Sequence, residues 1–114
     1  MEITTRTEGG VTVLVLAGRL DGGSDKALLD GVTALIDSGV RRVALDCAAL
    51  EYVSSSGLRT LLLTMRRLKA VNGSLAIGAL CEQVRQVLEI TGFAPHLAVH
   101  PTVEDAVREL ARGG

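Results

Sequence analysis

Three consecutive hydroxyls at Ser54, Ser55 and Ser56, followed by Gly57 and Leu58, form the densest cluster of chemically usable side chains in the sequence. They fall where a strand-like stretch ends and the longest amphipathic pattern begins, which puts them at the mouth of a helix. The first turn of a helix leaves about four backbone N–H groups without intrahelical partners and carries a partial positive charge. Hydroxyls placed there cap the helix, and an anion added there is well received. The chemistry on offer is capping or anion handling, the kind on which a switch is built.

The remaining candidates offer less. His96 and His100 flank a short apolar stretch with no Cys or carboxylate at metal-ligand spacing, so a loop or packing role is assigned and no metal is expected. Cys47 and Cys81 form no C-x-x-C pair and read as small buried residues. Asp21, Asp46 and Glu51 lie at or beyond the carboxyl ends of predicted strands, the side on which open α/β sheets carry their sites, and carboxylates there are competent acids or bases. Yet the chain has no G-x-G-x-x-G, no Walker lysine and no G-x-S-x-G elbow. These acids are therefore read as solvated or capping. No catalytic residue and no cofactor are expected, and the chain reads as a binding module rather than an enzyme.

Composition narrows the class further. A chain of 114 residues builds one core, and residues 1–112 are taken as a single domain with Gly113-Gly114 as a frayed tail. The hydrophobic share is 47% and the aromatic share 2%, so the core is aliphatic and stacking platforms for single-stranded nucleic acid are scarce. Twelve basic and thirteen acidic residues leave a net charge of −1, which supplies no field for a phosphate backbone. Arg59, Arg66 and Arg67 interrupt the most leucine-rich stretch, so no membrane span is expected. The first residues lack a secretory pattern, and a cytoplasmic location is the expectation.

The elements that would position the serines follow from periodicity. Ile3–Glu8 alternates weakly, Gly9-Gly10 marks a turn, and residues 11–17 are almost wholly apolar, as in a strand buried on both faces. Gly18–Ser24 is a loop from which Ser24 or Asp25 caps the next helix. Leu28, Val32 and Leu35 then define a helix over Asp25–Asp37. Arg42–Asp46 reads as a short strand, with Cys47–Val53 as a link to the serines. A second helix is predicted over Ser56–Ala70, a strand over Leu75–Ile77 and a third helix over Glu82–Ile90, ended by Thr91–Pro95. A last strand at Leu97–Val99 precedes a helix capped by Thr102, with Val103, Ala106, Val107 and Leu110 inward. The order β-β-α-β-α-β-α-β-α implies an α/β fold with a mostly parallel sheet. Only the first strand is free to run antiparallel.

This order of elements, together with Ser55-Ser56-Gly57-Leu58, resembles the STAS family of anti-anti-sigma factors and sulfate-transporter tails. Gly18-Arg19-Leu20-Asp21 is similar to that family's Gly-x-Leu-Asp after the second strand, and Thr91-Gly92-Phe93 to its Ser/Thr-Gly-Leu/Phe after the third helix. The resemblance spans essentially the whole chain. It implies that Ser55 is the phosphoacceptor, with Ser54 and Ser56 as rivals, and that Asp21, Ser54, Ser55, Ser56, Gly57 and Leu58 meet a partner. The implied partner is an anti-sigma factor that is also a GHKL-type serine kinase, with a phosphatase as a further candidate. Where the family usually has aspartate, this chain has Ser54. The alternative implied by the resemblance is an unphosphorylated STAS subunit of a transporter, lipid-trafficking or signalling assembly.

Overall fold

The computed structural model describes residues 1–92 and 97–112. Strands β1 (Glu2–Glu8) and β2 (Val11–Leu20) form an antiparallel hairpin around Gly9-Gly10, both at positive φ. Helix α1 (Asp25–Asp37), strand β3 (Arg42–Val53), helix α2 (Ser55–Ala70), strand β4 (Ser74–Gly78), helix α3 (Glu82–Ile90), strand β5 (Val99–His100) and helix α4 (Val103–Arg112) follow in order. The sheet order is β1-β2-β3-β4-β5, with every pairing after the first parallel. The expected α/β order and the single antiparallel strand are therefore observed. Residues 93–96, which include Phe93 and His96, and the tail 113–114 lie outside the described residues.

Both faces of the sheet are covered. Leu14, Leu16 and Leu20 of β2 pack with Leu28 and Val32 of α1, Leu58, Leu61 and Leu68 of α2, and Val84 and Leu88 of α3. On the opposite face Val11 and Val13 pack with Ala44, Ala76 and the Val103, Ala106 and Leu110 stripe of α4. That division explains the unbroken apolarity of β2, because successive side chains of a strand enter different layers. The Thr102 hydroxyl caps α4 as expected, accepting from the Asp105 N–H at 3.0 Å.

One element departs from expectation. Asp46 does not end a strand: β3 continues for twelve residues to Val53. Pairing with β4 stops at Asp46 and Gly78, while pairing with β2 continues to the match of Leu20 with Val53. Two register shifts lie on the way, and at each β3 advances one residue more than β2. Such bulges re-aim the side chains and spoil strict alternation. Cys47, Leu50 and Val53 are consequently buried at every third position, a spacing that does not read as a strand. Asp46 and Glu51 thus sit within β3. Asp46 accepts from the Ala48 N–H at 3.1 Å and lies 3.8 Å from the Arg6 guanidinium. β2 also runs on to Leu20, because Gly18–Leu20, read as loop, pairs with the end of β3. Smaller differences are that α2 begins at Ser55 rather than Ser56, that β4 gains one residue at each end of the predicted stretch, and that β5 lies at Val99–His100 rather than Leu97–Val99.

Leu61, fully buried between α2 and the sheet, reports on this packing. Leu61→Ala is expected to lower stability by about 2–5 kcal/mol through lost burial and a residual cavity. Urea denaturation should show a lower midpoint with an unchanged slope.

Candidate functional site

The extended β3 delivers Ser54 beside the end of β2. The Ser54 N–H donates to the Leu20 carbonyl at 2.9 Å, so the start of α2 is bonded directly to the strand next to it. Ser54 has extended backbone angles and occupies the N-cap position, and its hydroxyl accepts from the Gly57 N–H at 3.0 Å. The cap satisfies one of the donors that a helix start leaves open. It is also the local bond that an aspartate at this position would make, without the charge.

Gly57 is fixed by space. A Cβ there would stand 2.5 Å from the Leu20 carbonyl oxygen and 3.0 Å from both Leu20 Cγ and Val53 Cγ1. Glycine in a helix costs about 1 kcal/mol relative to alanine, and the close approach of α2 to β2 accounts for its presence. Leu58, next along, is buried in the larger core and anchors the first turn.

The three serines are not equivalent. Ser54 and Ser56 lie 3.0 Å apart through their hydroxyl oxygens, both half-buried, and Ser54 is further engaged by Gly57. Ser55, the first helical residue, is exposed, and among the described residues its hydroxyl makes no hydrogen bond. The Ser55 and Ser56 N–H groups occupy helical positions that have no acceptor within the helix. No acidic residue lies in the first turn, and Arg67 and Lys69 lie in the last. The mouth therefore favours an anion on Ser55.

The loop between β2 and α1 forms the other wall. A Cβ on Gly22 would stand 4.0 Å from the Ser56 hydroxyl, so this loop borders the helix mouth. It is held from within: the Ser24 hydroxyl donates to the Arg19 carbonyl at 2.7 Å and accepts from the Asp21 N–H at 3.0 Å. Ser24 stands at the N-cap position of α1 without making a side-chain cap bond, so its hydroxyl serves the loop instead. One Asp21 oxygen accepts from the Gly23 N–H at 3.0 Å, and the other lies 3.8 Å from Arg19. The fold thus brings Asp21, Ser54, Ser55, Ser56, Gly57 and Leu58 to one end of the β2–β3 pair.

Sequence reasoning missed a further pair at this edge. The β2–β3 register sets Arg19 opposite Tyr52, and the Arg19 guanidinium lies 4.1 Å from the ring centre. Tyr52 is 41% exposed, a rigid aromatic surface two residues before the serines, pinned by a cation that Asp21 in turn holds. Exposed tyrosine and arginine are the side chains that most often anchor protein interfaces. The sequence signal was the single Tyr52, but its pairing with Arg19 depends on the bulged register.

Nothing in this arrangement activates a nucleophile. Burial pushes the Cys47 thiol up to about 12, with the neighbouring Asp46 charge and Cys81 adding to the rise. The folded thiol stays neutral, whereas in the unfolded chain it ionises near pH 8.5. A folded pKa raised above the unfolded one gives a contribution that is complete below pH 8.5 and lost progressively as pH rises above it. His100 borders an open cavity of about 520 Å³ with Arg85, Glu89, Leu80 and Leu88, on the far edge of the sheet at β5. Among the described residues no group of three His, Cys, Asp or Glu side chains could hold a metal ion. No helix among them is long and apolar enough to cross a membrane.

Comparison with known proteins agrees with the fold. The family model described as STAS domain matches residues 2–106. A Bordetella bronchiseptica protein named as an anti-sigma factor antagonist, BtrV, is 38% identical over 93 residues, covering 82% of this chain and 80% of that protein. The crystal structure of an anti-sigma factor antagonist from Mycobacterium paratuberculosis superimposes with a TM-score of 0.85 at 23% identity, over 96% of this chain and 92% of that one. The Bacillus cell fate determinant SpoIIAA, solved in its phosphorylated form, gives a TM-score of 0.70 at 22% identity, over 94% and 98% of the two chains. At these identities the two structures establish a shared fold.

Two measurements probe the site directly. Gly57→Ala improves helix propensity but drives a methyl into the Leu20 carbonyl, so a net loss of about 1–3 kcal/mol is expected; a gain in melting temperature would contradict the close approach. In the native protein a thiol reagent is expected to modify Cys81 alone, with Cys47 reacting only after denaturation.

Proposed function

This chain belongs to the STAS domain family, and on that premise we propose that it is an anti-sigma factor antagonist. In this reading it binds an anti-sigma factor of the GHKL kinase class through the mouth of α2 and is released when that kinase phosphorylates Ser55. The protein acts by binding and carries out no catalysis of its own. Released or bound, it controls how much anti-sigma factor is free to hold a sigma factor.

The observation that carries the reading is the division of labour among the serines. Ser54 and Ser56 are hydrogen-bonded to each other and Ser54 caps the helix, whereas Ser55 is exposed at the first helical position. An incoming kinase therefore meets Ser55 first. Ser54 supplies a cap of the kind an aspartate would supply there, without the charge. Asp21, Arg19 and Tyr52 border the same mouth and supply the rest of a partner-facing rim.

Phosphorylation at Ser55 adds a charge of about −1.5 to −2 next to open N–H groups, so the fold tolerates it. Its effect falls on the partner. A like charge about 4 Å away, at an effective dielectric near 20, costs about 4 kcal/mol. That is on the order of a thousandfold in affinity, enough to dissolve a complex.

The test is incubation with a GHKL-type kinase from the same genome and ATP, followed by site mapping by mass spectrometry. Phosphate is expected on Ser55, abolished in Ser55→Ala and retained in Ser54→Ala and Ser56→Ala. Ser55→Asp should weaken the complex. No incorporation, with tight binding retained in Ser55→Asp, would replace the switch with a constitutive binding subunit.

A further inference from the structure

The helices treat their cations differently. In α1 Lys26 pairs with Asp30, in α3 Arg85 pairs with Glu82 and Glu89, and in α4 Arg108 and Arg112 pair with Asp105 and Glu109. Helix α2 carries Arg59, Arg66, Arg67 and Lys69 and no acidic residue at all. Among the described residues none of these four forms an ion pair. Arg67 reaches sideways to the Thr33 hydroxyl on α1 at 2.8 Å. Among the described residues the other two arginines have no such contact.

Their placement is regular. Ser55, Arg59, Leu62 and Arg66 fall at i, i+4, i+7 and i+11, one face of the helix on successive turns. Ser55, Arg59 and Arg66 are exposed, Leu62 is half-buried, and Leu63 flanks the stripe at 37% exposure. The face therefore combines two unpaired guanidinium groups with apolar surface between them. It begins at the serine the proposed function uses.

We propose that this face of α2 docks an acidic surface of the protein partner, with Arg59 and Arg66 as the charged contacts. The same face is disarmed from within when Ser55 carries phosphate. This inference rests on the proposed function for the existence of that partner. The occupant is taken as acidic protein because four of the chain's twelve basic residues lie on this one acid-free helix while the chain's net charge is −1. A nucleic acid or anionic membrane would require a wider positive field. Guanidinium groups suit carboxylates through paired, planar hydrogen bonds, and Leu62 and Leu63 supply apolar contact beside them.

The disarming follows from helix geometry. An acid one turn N-terminal to a base, at i and i+4, is the favourable orientation for an intrahelical ion pair. A phosphate on Ser55 has Arg59 in that position, unclaimed by any other carboxylate among the described residues. Phosphorylation then repels an acidic partner and also removes one of the two cations that attract it.

The experiment uses the full chain, the GHKL-type kinase as partner, and salt as a variable. R59E/R66E is expected to weaken binding tenfold or more at low ionic strength, with the difference shrinking at high salt. R108E, on the opposite face of the sheet, should bind like the parent. The milder R59Q/R66Q, checked for an unchanged melting curve, guards against a folding defect in the reversal. If the parent binds and both α2 variants bind equally well at every salt concentration, the docking face is overturned while the proposed function stands. If the parent does not bind, both readings fall. Retained kinase binding by the variants, with loss of binding to phosphatidylserine vesicles, would assign the face to a membrane and overturn the proposal. For the internal pair, phosphoserine is encoded at position 55 and titrated by phosphorus NMR, with no partner present. Its second pKa, ordinarily about 6, is expected to rise by roughly 0.15–0.4 unit in R59Q relative to the parent. Identical titrations would overturn the disarming step.

Discussion

Gly57 lies so near the Leu20 carbonyl that no Cβ would fit between them, and the arrangement of the site depends on that contact. The Ser54 N–H is bonded to that carbonyl, and the first turn of α2 lies against it with no room for a Cβ. This contact holds the start of one helix to the end of a neighbouring strand rather than only to the strand that precedes it. The loop after β2 and the serines after β3 therefore share one edge of the molecule. A longer separation would leave Asp21 and Ser55 on unrelated surfaces.

That contact in turn requires β3 to arrive at the right height and angle. Beyond Asp46 the strand has lost β4 as a neighbour and is held by β2 alone. Its two bulges add residues on the β3 side, twist the strand and place Val53 opposite Leu20. They also set Tyr52 beside Arg19. A regular strand of the same length would run past β2 and carry the helix mouth away from the loop. The bulges thus belong to the construction of the site, in keeping with their frequent occurrence next to functional regions.

Within the site, polarity is shared out so that one hydroxyl remains available. Ser54 is committed to the cap and to Ser56, the Ser24 hydroxyl to its own loop, and one Asp21 oxygen to the Gly23 N–H. Each of these bonds rigidifies backbone that would otherwise need to be ordered when a partner arrives, a cost that association would have to offset. Among the described residues of the site, Ser55 is the serine held by its backbone with no hydrogen bond at its side chain. The substitution of serine for the family's aspartate preserves the hydrogen bond and removes a negative charge, which leaves the mouth and the cationic face of α2 more positive than the family pattern implies.

Much of this was legible in the sequence because it depends on local periodicity and short-range chemistry. The apolar spacing of Leu28 and Val32 and of Leu58, Leu61 and Leu68, the turn at Gly9-Gly10 and the Thr102 cap specify their elements through neighbours a few residues away. The serine cluster was recognisable for the same reason, since a helix mouth is a local event. The sequence also determined, by the absence of acids from α2, that its cations have no partner within their own helix. What only the tertiary structure decided involves residues far apart in the chain: the length of β3, whose bulges erase the alternation by which strands are read, and the Arg19 and Tyr52 pair, set by register. The hydrogen bonds that make the three serines unlike one another also had to be seen in the structure, although they are local. The run Ser54-Ser55-Ser56 has three identical side chains, told apart in the sequence only by the register of the family resemblance. They become different only when Ser54 turns inward to Gly57 and Ser56, and Ser55 is left facing solvent.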